Sequence, residues 1–110
     1  MDDHGHISRE ELLSRIKAAV FALAPDAEVS LYGSRARGDE HEESDWDILV
    51  LLSDAPTREL KAAIRRRLYE IEWETGQVIS AKFYLKLEWE REDKRIIPFR
   101  RNVREEAIRL

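Results

Sequence analysis

The chain has 110 residues, 43% of them hydrophobic and 38% charged, with no cysteine and a net charge of −4. That length fits one compact domain over 1–110, and no apolar run approaches the ~18 residues that a membrane span requires. Without cysteine there is neither a disulfide scaffold nor a thiolate metal site, which suits a cytoplasmic protein. Residues 1–6 are acidic and polar and do not resemble a signal peptide, and residues 1–7 read as disordered.

Charge is unevenly placed. Residues 1–60 carry 6 Lys/Arg against 14 Asp/Glu, and residues 61–110 carry 13 against 9. Such polarity fits a partner or an anionic ligand, although an uneven solvated surface would look the same.

The elements follow in order. Ser8 and Glu11 form a capping box, and Leu12, Ile16, Val20 and Leu23 then recur at helical spacing up to Pro25. A short strand follows, with Val29 and Leu31 on a buried face and Glu28, Ser30 and Tyr32 on a polar one. Trp46 to Leu52 is apolar nearly throughout, as in a central strand covered on both faces. Thr57 caps a long helix with the stripe Leu60, Ile64, Leu68, Ile71, and Gly76 stops it. A third strand, Val78 to Leu85, places Ile79, Ala81, Phe83 and Leu85 on one face and Ser80, Lys82 and Tyr84 on the other. A helical stretch around 88–95 and a last helix opened by Pro98 close the chain; Phe99, Val103, Ala107 and Leu110 are the stripe of the latter. The fold class is α/β (α+β), a small mixed sheet flanked by helices.

The chemistry concentrates between Leu31 and Val50. A strand runs into Gly33-Ser34, where exposed amides and the Ser34 hydroxyl suit phosphate oxygens. Arg35 and Arg37 follow, able to neutralise phosphate charge. Asp45 and Asp47 stand two apart at the entry to the next strand, so both project from one face. Side by side they repel, and a hard divalent cation relieves the repulsion; Mg²⁺ takes one or two carboxylates plus substrate phosphates. A lone D-x-D or Gly-Ser turn is commonplace, whereas the two in fixed order point to metal-assisted transfer on a nucleoside triphosphate. Asp39 to Glu43 read as loop solvation.

The run G-S-x-A-R-G followed by S-D-x-D resembles the signature of the polymerase-beta-like nucleotidyltransferase superfamily, and most closely its minimal nucleotidyltransferases. Gly33, Ser34, Ala36, Arg37, Gly38, Ser44, Asp45 and Asp47 carry the resemblance, with a softer one in residues 73–80 and 98–103. It implies a triphosphate on Gly33 and Ser34, two Mg²⁺ ions on Asp45 and Asp47, and transfer of a nucleoside monophosphate from ATP or another NTP to a hydroxyl. It further implies a partner, since such proteins lack a recognition domain: a small HEPN-type helical protein, with a homo-oligomer as the other option. Trp73, Trp89 and Tyr69 are candidate interface anchors, or they close the core.

One departure stands out. The family places a third carboxylate on a later strand, yet no Asp or Glu occurs from Thr75 to Leu87. Ser80 or Lys82 would take its place, and Glu72, Glu74 or Glu88 would reach it only from a displaced backbone. Two functions follow: an active transferase, or a catalytically weak antitoxin-like binding module. Nucleic-acid binding rests only on Arg65–Arg67 and Arg100-Arg101 and is disfavoured by the net charge.

Overall fold

A computed structural model describes residues 7–90 and 97–110. Helix α1 (Arg9–Leu23) starts where the Ser8 hydroxyl accepts the Glu11 amide at 3.0 Å, and buries Leu12, Ile16 and Val20. Strand β1 (Glu28–Tyr32) leads through Gly33 into the single turn α2 (Ser34–Arg37). Strand β2 (Trp46–Leu52) is followed by helix α3 (Arg58–Thr75). Thr57 caps α3 by accepting the Leu60 amide at 3.0 Å; Gly76, at φ +73°, ends it. Strand β3 (Ile79–Leu85), the short helix α4 (Lys86–Glu90), helix α5 (Ile97–Glu106) and strand β4 (Ile108–Arg109) complete the order.

The sheet runs β3-β2-β1-β4. β2 and β3 are parallel, joined through α3, whereas β1 lies antiparallel to β2 and β4. The sheet is thus mixed and flanked by helices.

Two apolar layers form because β2 is buried on both faces. Ile48, Val50 and Leu52 pack with Val29, Leu31 and the stripes of α1 and α3. Leu49 and Leu51 pack the other way with Tyr32, Tyr84, Trp89, Phe99 and Val103, under α4 and α5. Asp47 shares the parity of Leu49 and Leu51, so it belongs to the α5 side. In that layer Phe99 meets Tyr32 edge-on, with centroids 5.8 Å apart.

Two expectations change. Tyr32 is buried rather than on an open polar face, because α5 roofs that end of β1. The last helix stops at Glu106 instead of reaching Leu110. Ile108 and Arg109 pair with Leu31 and Ser30, and the Leu110 amide donates to the Val29 carbonyl at 2.8 Å. Pairing at an open sheet edge satisfies the backbone of these residues as a further helical turn would, and also covers the edge. The helical stretch expected at 88–95 is present as α4 up to Glu90, and its remainder lies outside the described residues, as do residues 1–6 of the expected disordered start.

Trp89 is buried within the second layer, and Tyr69 and Trp73 are exposed on α3. Among the described residues no helix is long and apolar enough to cross a membrane.

Candidate nucleotide site

Gly33 leaves β1 at φ +74° and ψ −160°, a conformation that only glycine adopts readily. A second reason for glycine is space. A Cβ on Gly33 would lie 2.1 Å from Asp47 Oδ2. The register explains the approach, since Tyr32 is paired with Asp47 across β1 and β2. The turn is then closed by its own backbone: the Gly33 carbonyl accepts the Ala36 and Arg37 amides at 3.0 Å, and Gly38, at φ +86°, returns its amide to the Ser34 carbonyl at 2.9 Å.

A cavity of about 630 Å³ opens above this turn. Gly33, Ser34, Arg37 and Asp47 line it from the signature, Tyr32 from the sheet, and Phe99, Asn102 and Glu106 from α5. Asp45 is exposed at the entry to β2, near enough that its charge acts on Asp47. Burial, then the neighbouring Asp45, push the Asp47 carboxyl above its ordinary range, while Lys82 and Arg37 pull the other way. Burial pushes the Tyr32 phenol up to about 12, so its hydroxyl stays protonated and keeps a hydrogen to donate. The Arg37 guanidinium, hydrogen-bonded to Glu106 and then to Asp39, is held more firmly in its charged form.

Arg35 is not brought to the cavity, contrary to the expected phosphate contact. Its Nη2 donates to the Ser44 carbonyl at 2.9 Å and to the Glu42 carbonyl at 3.3 Å, and its guanidinium lies 4.3 Å above the Trp46 ring. Trp46 Nε1 in turn donates to Gln77 Oε1 at 2.9 Å. The planar fork fits carbonyls and an aromatic face together, so Arg35 fastens the 38–45 loop and sets the entry of β2 where both aspartates stand. Replacing Arg35 by leucine is expected to cost about 1–2 kcal/mol in a denaturant melt. The lysine variant should recover little, since an ammonium cannot fork. A phosphate ligand would behave oppositely, with the melt unchanged and nucleotide affinity lowered.

No acid stands on β3 beside the pair. Ser80 is aligned with Asp47, and the Lys82 charge bears on it. Glu72 is committed to the Ile79 amide at 2.7 Å, Glu74 pairs with Arg15 on α1, and Glu88 is exposed on α4. The acid that does approach is Glu106. Its Oε1 accepts the Gly33 amide at 3.1 Å and its Oε2 accepts Arg37 Nη1 at 2.9 Å. The sequence reading missed it by extending the stripe through Ala107 and Leu110. The signal was there: Phe99, Asn102, Val103 and Glu106 follow i, i+3, i+4, i+7, so a carboxylate shares the face that roofs the sheet.

The donor set can be tested against a metal. Among the described residues no three acids or histidines gather into a ligand cluster. Asp45 and Asp47 would suit Mg²⁺, which takes one or two carboxylates beside substrate phosphates. A desolvated Asp47 repelled by Asp45 is the negative charge that such an ion relieves.

Comparisons with known proteins bear on the fold and the family. A sequence model described as a nucleotidyltransferase domain matches residues 13–110. A candidate protein adenylyltransferase of Methanocaldococcus jannaschii is 39% identical over 56 residues, a stretch covering 49% of this chain and 57% of that protein. The chain thus spans little more than half the length of that relative. A solved structure described as a candidate minimal nucleotidyltransferase superposes with a TM-score of 0.58 at 28% identity, over 96% of this chain and 98% of that one. A toxin–antitoxin crystal structure with AMP-PNP superposes with a TM-score of 0.61 at 16% identity, over 87% of this chain and 69% of that one, a likeness of fold.

Proposed function

Because the chain belongs to the nucleotidyltransferase domain family, we propose that it moves a nucleoside monophosphate from an NTP, ATP being the expected donor, to a hydroxyl on a partner protein. The observation that carries this reading is the juxtaposition of Gly33 and Asp47, phosphate turn against metal acid, with 2.1 Å between Asp47 Oδ2 and the place of a missing Cβ. The adenylyltransferase description of the archaeal relative supports a protein acceptor and ATP.

In this reading Gly33, Ser34 and Arg37 hold the polyphosphate through an amide, a hydroxyl and a guanidinium. Asp45 and Asp47 hold Mg²⁺, which would supply charge neutralisation on the phosphates. The acceptor oxygen bonds to the α-phosphorus, the bond from that phosphorus to the bridging oxygen breaks, the hydroxyl proton is released, and pyrophosphate leaves. The chain's part is positioning, and α5 walls the site against water on one side. A cytoplasmic location belongs to the same proposal.

A specific observation favours a second reading, a weak or inactive antitoxin-like module that pairs with a HEPN-type partner. Lys82, a cation, bears on Asp47 from the strand where an acid was expected. Labelled ATP, Mg²⁺ and the product of the neighbouring gene separate the two. Label transfer lost in Asp45→Ala/Asp47→Ala supports the enzyme; a tight complex without label supports the module. Nucleotide affinity unchanged in the double variant at saturating Mg²⁺ removes the site altogether.

A further inference from the structure

We propose that Glu106 is an internal counter-anion, seated on the donors that would hold nucleotide phosphate, and that a nucleotide must displace it. This rests on the nucleotide reading of the cavity and names a residue that sets affinity there.

The contacts are those of an anion in a receptor. Two oxygens of one carboxylate take donors from the two ends of the turn, the Gly33 amide at 3.1 Å and Arg37 Nη1 at 2.9 Å. Two oxygens of a phosphate have the same reach and the same preference for these donors. Gly33 is buried, so its amide needs a partner, and Glu106 supplies one. The Glu106 side chain is itself only 17% exposed.

Anchoring of α5 does not explain the pairing. Val103 is buried against the sheet, Phe99 packs on Tyr32, and β4 fastens the following residues to β1. The carboxylate also lines the same cavity as Asp47, so two acids face one ligand position. A second acid in the cavity is tolerable while Gly33 and Arg37 hold it. Once phosphate takes those donors, Glu106 and Asp47 are left in one cavity with an anionic ligand. That crowding ties ligand entry to a divalent cation.

The test is titration calorimetry of the full chain with tripolyphosphate alone and with ATP, each with and without Mg²⁺. Wild type, Glu106→Gln and Glu106→Asp are compared, with thermal melts to establish folding. Glu106→Gln keeps the size of the side chain and removes its charge, and it should bind both probes about tenfold more tightly. Glu106→Asp, charged but one methylene short of both donors, should show a smaller gain. Equal or weaker binding of tripolyphosphate by Glu106→Gln overturns the inference. The two readings fail separately. ATP binding that is lost in Asp47→Asn yet indifferent to Glu106 keeps the nucleotide site and removes the counter-anion. Tighter tripolyphosphate binding in Glu106→Gln without any ATP binding does the reverse. Binding of neither probe by any variant sinks both.

Discussion

Gly33→Ala is expected to abolish nucleotide binding and to lower stability by about 2 kcal/mol or more. The backbone there, at φ +74° and ψ −160°, is one that an L side chain adopts only under strain. The added methyl meets Asp47 Oδ2 at 2.1 Å, so something must shift. If the carboxylate yields, the proposed metal ligand leaves its place. If the backbone yields, the Gly33 amide leaves the phosphate position. Either route damages binding beyond the stability loss, so the two should be read separately, by denaturant melt and by calorimetry in Mg²⁺-ATP. Wild-type affinity in a folded Gly33→Ala protein would contradict the close packing of turn and acid.

Asp47→Asn should lower transfer about a thousandfold, the equivalent of roughly 4 kcal/mol of charge stabilisation. The same variant should be more stable than the wild type at pH 7 in the absence of metal. The sign follows from the raised folded-state pKa of Asp47. Burial and Asp45 disfavour its charge, so its ionisation weakens the fold. That penalty is fully present above the raised folded value and absent below the ordinary carboxylate range. Melts at pH 7 and pH 3 check it: Asp47→Asn should melt higher than wild type at pH 7, and the difference should vanish at pH 3. Excess Mg²⁺ with ATP should reverse the order at pH 7, because only the carboxylate gains from the cation. A variant less stable than wild type at pH 7 without metal would mean that Lys82 and Arg37 outweigh burial.

Much of this architecture was legible from residue patterns. The stripes of α1 and α3, their caps at Ser8 and Thr57, and the two-sided burial of β2 are local rules, and local rules survive folding. Gly33, Ser34, Arg37 and Asp47 lie close in the chain, and β1 and β2 bring them to one cavity. Arg35 sits among them in the sequence but faces elsewhere, because the Trp46 ring and the loop carbonyls compete for its fork. Nothing in the spacing of the run reveals that competition. Glu106 was harder still, since its contact with Gly33 spans 73 residues and depends on where α5 docks. β4 was hidden for a related reason: the edge of β1 that it pairs with exists only once the sheet is assembled.

The three tryptophans of the chain fall into three distinct surroundings. Trp73 is 81% exposed on α3, Trp46 is buried under the Arg35 guanidinium at the entry to β2, and Trp89 is buried in the layer beneath α5, its ring tilted 5.1 Å from Tyr84. Indole emission depends on polarity and on nearby charge, so the protein carries its own optical labels. With Trp73 replaced by phenylalanine, Trp46 reports on the loop that sets the aspartates, and Trp89 reports on whether the roof over the cavity is seated or lifted.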